Sequence, residues 1–99
     1  MKKSLHIVVG NLDAPKRFAE ALKMRIRPGD AEGVVMVTSN SEIEIDVCGP
    51  KEQVDDFLGV LDTVVFFEQK NAGRVVSIVA TPLIRHEDYR GVLRFVMPH

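Results

Sequence analysis

The sequence holds one cysteine, no run of about 18 apolar residues and almost no excess charge of either sign, and each shortage closes off a class of function. A single cysteine, Cys48, cannot form an intramolecular disulfide, so the chain reads as a cytoplasmic type of protein. Within its strand-like stretch Cys48 is expected to be a small buried hydrophobe. Without a long apolar run, no helix is expected to span a membrane. The opening Met-Lys-Lys has the basic character of a signal peptide, but too few apolar residues precede Gly10, Asn11 and Asp13 to complete one. Thirteen basic against fourteen acidic residues leave a net charge of -1, which gives no overall attraction to nucleic acid or to an anionic membrane.

Cofactor and metal signals are scarce too. His6, His86 and His99 lie on separate segments with no helical spacing and no cysteine partner, so no metal site is expected. Neither a Gly-x-Gly-x-x-Gly, a Walker loop nor a Gly-x-Ser-x-Gly is present, which argues against nucleotide cofactors and serine hydrolysis. No cofactor is expected.

What is present is the material of one small folded domain, expected over residues 1–99: 45% hydrophobic and 27% charged residues, enough for one core and too short for two. Residues 5–9 are short, apolar and rich in β-branching, and Gly10-Asn11 ends that run as a turn does. Asp13 is placed as an N-cap, Pro15 fits a first helical turn, and Phe18, Leu22 and Ile26 recur at four-residue spacing, with residues 27–30 as the helix stop. A strand over 34–38, a turn at Ser39-Asn40-Ser41 and a strand over 42–47 predict a hairpin. Its period of two sends Ile43, Ile45 and Val47 to the core and Glu42, Glu44 and Asp46 to the opposite face. Gly49-Pro50 opens a second helix, with Val54, Phe57, Leu58, Leu61 and Val65 on one side. Residues 62–71 fit either a continued helix, the favoured reading, or an edge strand. A strand over 74–80, a connection over 81–90 and a last strand over 92–97 complete the chain. The order is βαββαβ plus a terminal strand. It predicts a ferredoxin-like α+β sandwich, an antiparallel sheet with two helices on one face and an extra C-terminal strand.

The stretch Gly33-Val34-Val35-Met36-Val37-Thr38-Ser39-Asn40-Ser41-Glu42-Ile43-Glu44-Ile45, then Gly49-Pro50-Lys51-Glu52-Gln53-Val54 and Phe57-Leu58, resembles the acylphosphatase family. That family has a Gly-Trp-Val-x-Asn strand, a Val-Glu strand, then Gly-Pro-x-Glu-x-Val and Phe-Leu on its second helix. Arg74-Val75-Val76-Ser77-Ile78-Val79 and Glu87-Asp88-Tyr89-Arg90-Gly91 are similar to its closing strands and Gly-Tyr-x-Gly connection. The resemblance implies cleavage of a carboxylic-phosphoric mixed anhydride, with a Gly-x-Val-Gln-Gly-Val-Gly-Phe-Arg loop holding the phosphoryl group and an asparagine orienting water. Here the loop is Gly10-Asn11-Leu12-Asp13-Ala14-Pro15-Lys16-Arg17. Gly10 matches the first glycine and Arg17, after one deletion, the arginine. Two glycines are missing, Pro15 removes an N–H donor, Asp13 adds a negative charge, and Val37 stands at the asparagine position. Asn40, in the turn, is read as serving turn geometry.

The expectation is a divergent acylphosphatase-like domain with weak or lost hydrolysis that binds a small anion or a protein partner. Arg17 is the candidate catalytic residue, and Gly10, Lys16 and Arg17 form the candidate anion site. An active hydrolase using Arg17 is the alternative, and a non-enzymatic dimerising subunit is the second. Homodimer contact is suggested by Val64, Val65, Phe66 and Phe67 in an insertion over 62–71, although burial in the core is the plainer reading; another insertion falls at 27–31. Lys16, Arg17, Lys23, Arg25 and Arg27 make the first helix basic, read as a solvated face. RNA binding on the sheet is disfavoured, because Glu42, Glu44 and Asp46 stand where aromatics would be needed.

Overall fold

A computed structural model describes residues 2–26, 31–83 and 93–96. The elements run β1 (Lys2–Gly10), α1 (Pro15–Arg25), β2 (Glu32–Val37), β3 (Ile43–Pro50), α2 (Lys51–Ala72), β4 (Ser77–Pro82) and β5 (Leu93–Val96). The expected helix stop at 27–30, most of the 81–90 connection, and Val92 and Met97 lie outside the described residues.

The sheet order is β4-β1-β3-β2-β5. The first four strands pair antiparallel, as the βαββαβ pattern predicts. β5 pairs parallel with β2, so the sheet is mixed and the expectation of an antiparallel sheet is corrected. Hydrophobic alternation could not have shown this, since it fixes the face a residue occupies and is silent on strand direction.

Alternation along β3 is regular: Ile43, Ile45 and Val47 are fully buried, while Glu44, Asp46 and Cys48 point to the other face and are half-buried. Cys48 is therefore not the buried core residue expected; it falls one residue out of register with the core set, and burial still pushes its thiol pKa up. With Ile7, Val9 and Val35 these strand residues meet Phe18 and Leu22 of α1 and Val54, Phe57 and Leu61 of α2 in one cluster. Burying a Phe or Leu of this kind stabilises by about 1.5–3 kcal/mol each. β2 starts earlier than expected because Gly33 admits a close pairing: its φ is +148, and a Cβ there would lie 1.8 Å from the Asp46 carbonyl oxygen.

α2 runs through residues 62–71 without a break, as favoured from the sequence, and ends at Gly73, whose φ is 66 and whose N–H donates to the Gln69 carbonyl at 3.0 Å. Val64 and Val65 join the core, but Phe66 and Phe67 are 59% and 42% exposed, so half of that apolar segment faces outward. β4 begins at Ser77, three residues later than expected, because two side chains hold the preceding backbone. Asn11 Nδ2 donates to the Val75 carbonyl at 2.7 Å, and the Val76 N–H donates to Gln69 Oε1 at 2.9 Å.

Candidate functional site

The loop from Gly10 to α1 is tied at both sides. Gly10 pairs with Ser77, and a side chain at position 10 would have to displace the Ser77 hydroxyl, 2.7 Å from where its Cβ would sit. Asn11 adopts φ 60, a left-handed conformation that asparagine tolerates better than most residues. Leu12 is buried in the core, and its N–H donates to the Ser41 carbonyl at 2.8 Å. The loop is thus bound to the β2–β3 turn on one side and to the segment before β4 on the other.

Asp13 is not the N-cap that its position suggested. Pro15 occupies the first helical turn, Ala14 is the N-cap, and no side chain caps α1. The Asp13 carboxylate instead lies 3.9 Å from Arg17 Nη2 and 3.7 Å from Arg74 Nη1. These are long, exposed pairs, which bind weakly and rearrange easily. Their effect is local: the negative charge set in the loop meets two guanidinium groups. The first intrahelical bond runs from the Phe18 N–H to the Ala14 carbonyl at 3.0 Å, so the N–H groups of Lys16 and Arg17 come before the ladder begins.

Facing this uncapped helix end is a groove of about 490 Å³, with Ala14, Pro15 and Lys16 on one wall and Val37 with turn residues 38–40 on the other. The turn is held by its neighbours: the Ser41 N–H donates to Ser39 Oγ at 3.2 Å and Thr38 Oγ1 donates to the Glu42 carbonyl at 3.3 Å. Asn40 lies in this turn, where the sequence placed it, with a negative φ and an exposed side chain. Val37, at the position where the resemblance expects asparagine, lines the same groove and offers it no hydrogen bond.

The three residues expected to grip an anion are therefore dispersed. Lys16 lines this groove, Gly10 lies at the end of β1, and Arg17 lines a second groove of about 320 Å³ between α1 and α2. The second groove also takes in Arg25, Phe67, Glu68 and Asn71. Arg25 stacks over the Phe67 ring, 5.3 Å from its centroid, and Lys23 lies 5.9 Å from that of Phe95, so part of the basic face of α1 is engaged with aromatic rings. Arg27 lies outside the described residues.

Two participants escaped sequence reasoning. Arg74 reaches Asp13 only through the fold. Glu68 follows Val54, Phe57, Leu61 and Val64 at the helical spacing of the buried stripe, a signal that was legible and was not used. On the open face of the sheet, His6 lies 2.5 Å from Asp46 and 3.4 Å from Glu44, and the hydrogen bond to Asp46, aided by both negative charges and opposed by partial burial, raises its pKa.

No family model matches the chain, and a sequence search of curated proteins finds no match. Solved structures do match. Acylphosphatase from Bacillus subtilis superposes with a TM-score of 0.64 at 20% identity, covering 97% of this chain and 99% of that one. An acylphosphatase from Coxiella burnetii gives 0.51 at 17% identity, covering 95% and 92%. Full-length HypF in its phosphate- and nucleotide-bound form gives 0.54 at 19% identity; 97% of this chain aligns with 12% of that much longer one. Among the described residues, no helix is long and apolar enough to cross a membrane. At these identities the likeness is one of fold, and the fold of this chain is the acylphosphatase-like form of the ferredoxin-like α+β sandwich.

Proposed function

We propose that this chain is a divergent acylphosphatase-like domain that binds a small oxyanion at the start of α1 and hydrolyses acyl phosphates weakly or not at all. The observation that carries the reading is the groove at the uncapped N-terminus of α1, lined by Lys16 on one side and by Asn40 on the other. Backbone N–H groups at a helix start, the helix dipole and an ammonium group together favour an anion. Arg17 joins the anion by leaving Asp13, a move that costs little because that pair is long and exposed. Gly10 contributes by keeping the loop close against Ser77.

Hydrolysis asks for more than binding. A water must be oriented at phosphorus, and Val37 provides neither donor nor acceptor there. Pro15 withholds an N–H, and the Leu12 N–H is already bonded to Ser41, so fewer donors converge than a preorganised oxyanion cradle requires.

The test is hydrolysis of benzoyl phosphate by the purified protein beside Arg17→Ala, together with a phosphate titration followed by amide chemical shifts. The expected result is turnover near background and saturable shifts at residues 10–17 and 38–41. Turnover well above background that Arg17→Ala abolishes would instead support the active hydrolase, and shifts in neither region would remove the anion site. A second reading, contact with a protein partner or a second copy, is favoured by the outward Phe66 and Phe67 of α2, 59% and 42% exposed. Sedimentation showing a monomer at all accessible concentrations would count against the homodimer.

A further inference from the structure

The groove between α1 and α2 is lined in part by Glu68, a residue whose hydrogen-bonding requirement is not met among the described residues. Glu68 occupies a core position of α2 and is only 9% exposed. Among the described residues its Oε1 is buried and has no hydrogen-bond partner. A buried carboxylate oxygen without a donor is costly, and such groups in folded proteins are nearly always paired. Donors stand on the same groove but are directed elsewhere: Arg17 toward Asp13 at 3.9 Å and Arg25 across the face of Phe67 at 5.3 Å. The volume of about 320 Å³ suits a small molecule and not a peptide. Its walls carry three kinds of chemistry at once, namely the carboxylate of Glu68, the guanidinium groups of Arg17 and Arg25, and the apolar surface of Val64, Phe67 and Ala21.

We propose that this inter-helical groove binds a small zwitterion of the α-amino acid class, with its ammonium toward Glu68, its carboxylate toward Arg25, and its side chain against Val64 and Phe67. A cation alone would meet Glu68 but would face two guanidinium groups. An anion alone would satisfy Arg25 and leave Glu68 unpaired. Only a ligand with both charges satisfies both sides, and the aromatic wall favours an apolar or aromatic side chain. The proposal does not depend on the oxyanion reading, since Glu68 and Arg25 line only this groove and Lys16 and Asn40 only the other.

The experiment is an amide chemical-shift titration of the whole chain with L-phenylalanine, L-leucine and glycine, with phenethylamine and 3-phenylpropionate as half-ligands. Expected are saturable shifts at residues 17–25 and 64–71 with L-phenylalanine, binding at least about tenfold weaker for either half-ligand, and a similar loss in Glu68→Gln. Should Glu68→Gln fail to fold, the half-ligand comparison on the unaltered protein decides alone. Absence of saturable shifts with all three amino acids overturns the proposal. So does equal binding of 3-phenylpropionate, which would make the groove a plain anion site, or equal binding to Glu68→Gln. Inorganic phosphate added separately should shift residues 10–17 and 38–41 and leave 64–71 unmoved, so failure of either site is read independently.

Discussion

The two grooves flanking the start of α1 are opposites in what they lack. At the helix end, donors outnumber acceptors: the N–H groups of Lys16 and Arg17 precede the helical ladder, no side chain caps them, and Lys16 and Asn40 line the groove. Between the helices an acceptor, Glu68 Oε1, has no donor among the described residues. Because folding pairs nearly every buried polar group, an unpaired one on a concave surface is informative about a ligand, and the sign of the deficit says which charge that ligand brings. Composition conveyed none of this. A net charge of -1 describes a chain with no preferred partner, yet its two grooves differ sharply in character.

The harshest way to break the comparison is to remove the scaffold that both grooves share. Gly33→Ala would put a Cβ 1.8 Å from the Asp46 carbonyl oxygen in a backbone conformation that L side chains rarely adopt. We expect a loss of about 4 kcal/mol or more, measured as a collapse of the urea midpoint, with both titrations abolished.

Glu68→Leu tests one groove alone. If Glu68 is an orphan in an apolar stripe, leucine should stabilise the fold by about 1–2 kcal/mol, seen as a raised melting temperature, while amino-acid binding disappears and phosphate binding persists. A clear destabilisation would show that Glu68 finds a partner within the chain and that the two grooves do not differ as described.

The smallest effect serves as a control on the far side of the sheet. The pKa of His6 is raised above its usual value, mainly by its hydrogen bond to Asp46, so the charged form is favoured in the folded state. Its contribution is fully present below the unfolded pKa of about 6.5 and is lost as pH rises through the higher folded value. Urea midpoints should therefore fall slightly from pH 6 to pH 8.5, and His6→Asn should flatten that trend. Since the pair is about one-third exposed, solvent screening keeps the effect below about 1 kcal/mol. The slope reports the open face and not the grooves, neither of which is lined by a described histidine.

Local chemistry made much of this molecule legible. The period of two along Ile43, Ile45 and Val47 fixed the buried face of β3 before any coordinates, and the stripe Val54, Phe57, Leu61 and Val65 carried α2 through a segment that could have been a strand. Those patterns are short-range, and burial enforces them one residue at a time. The parallel pairing of β5 with β2, the reach of Arg74 to Asp13, and the separation of Lys16 from Arg17 into different grooves were decided by the tertiary structure. Each depends on which distant segments meet. Adjacent residues on a helix point about 100° apart, so where Lys16 and Arg17 lead is settled only once α2 and the β2–β3 turn have packed on either side of them.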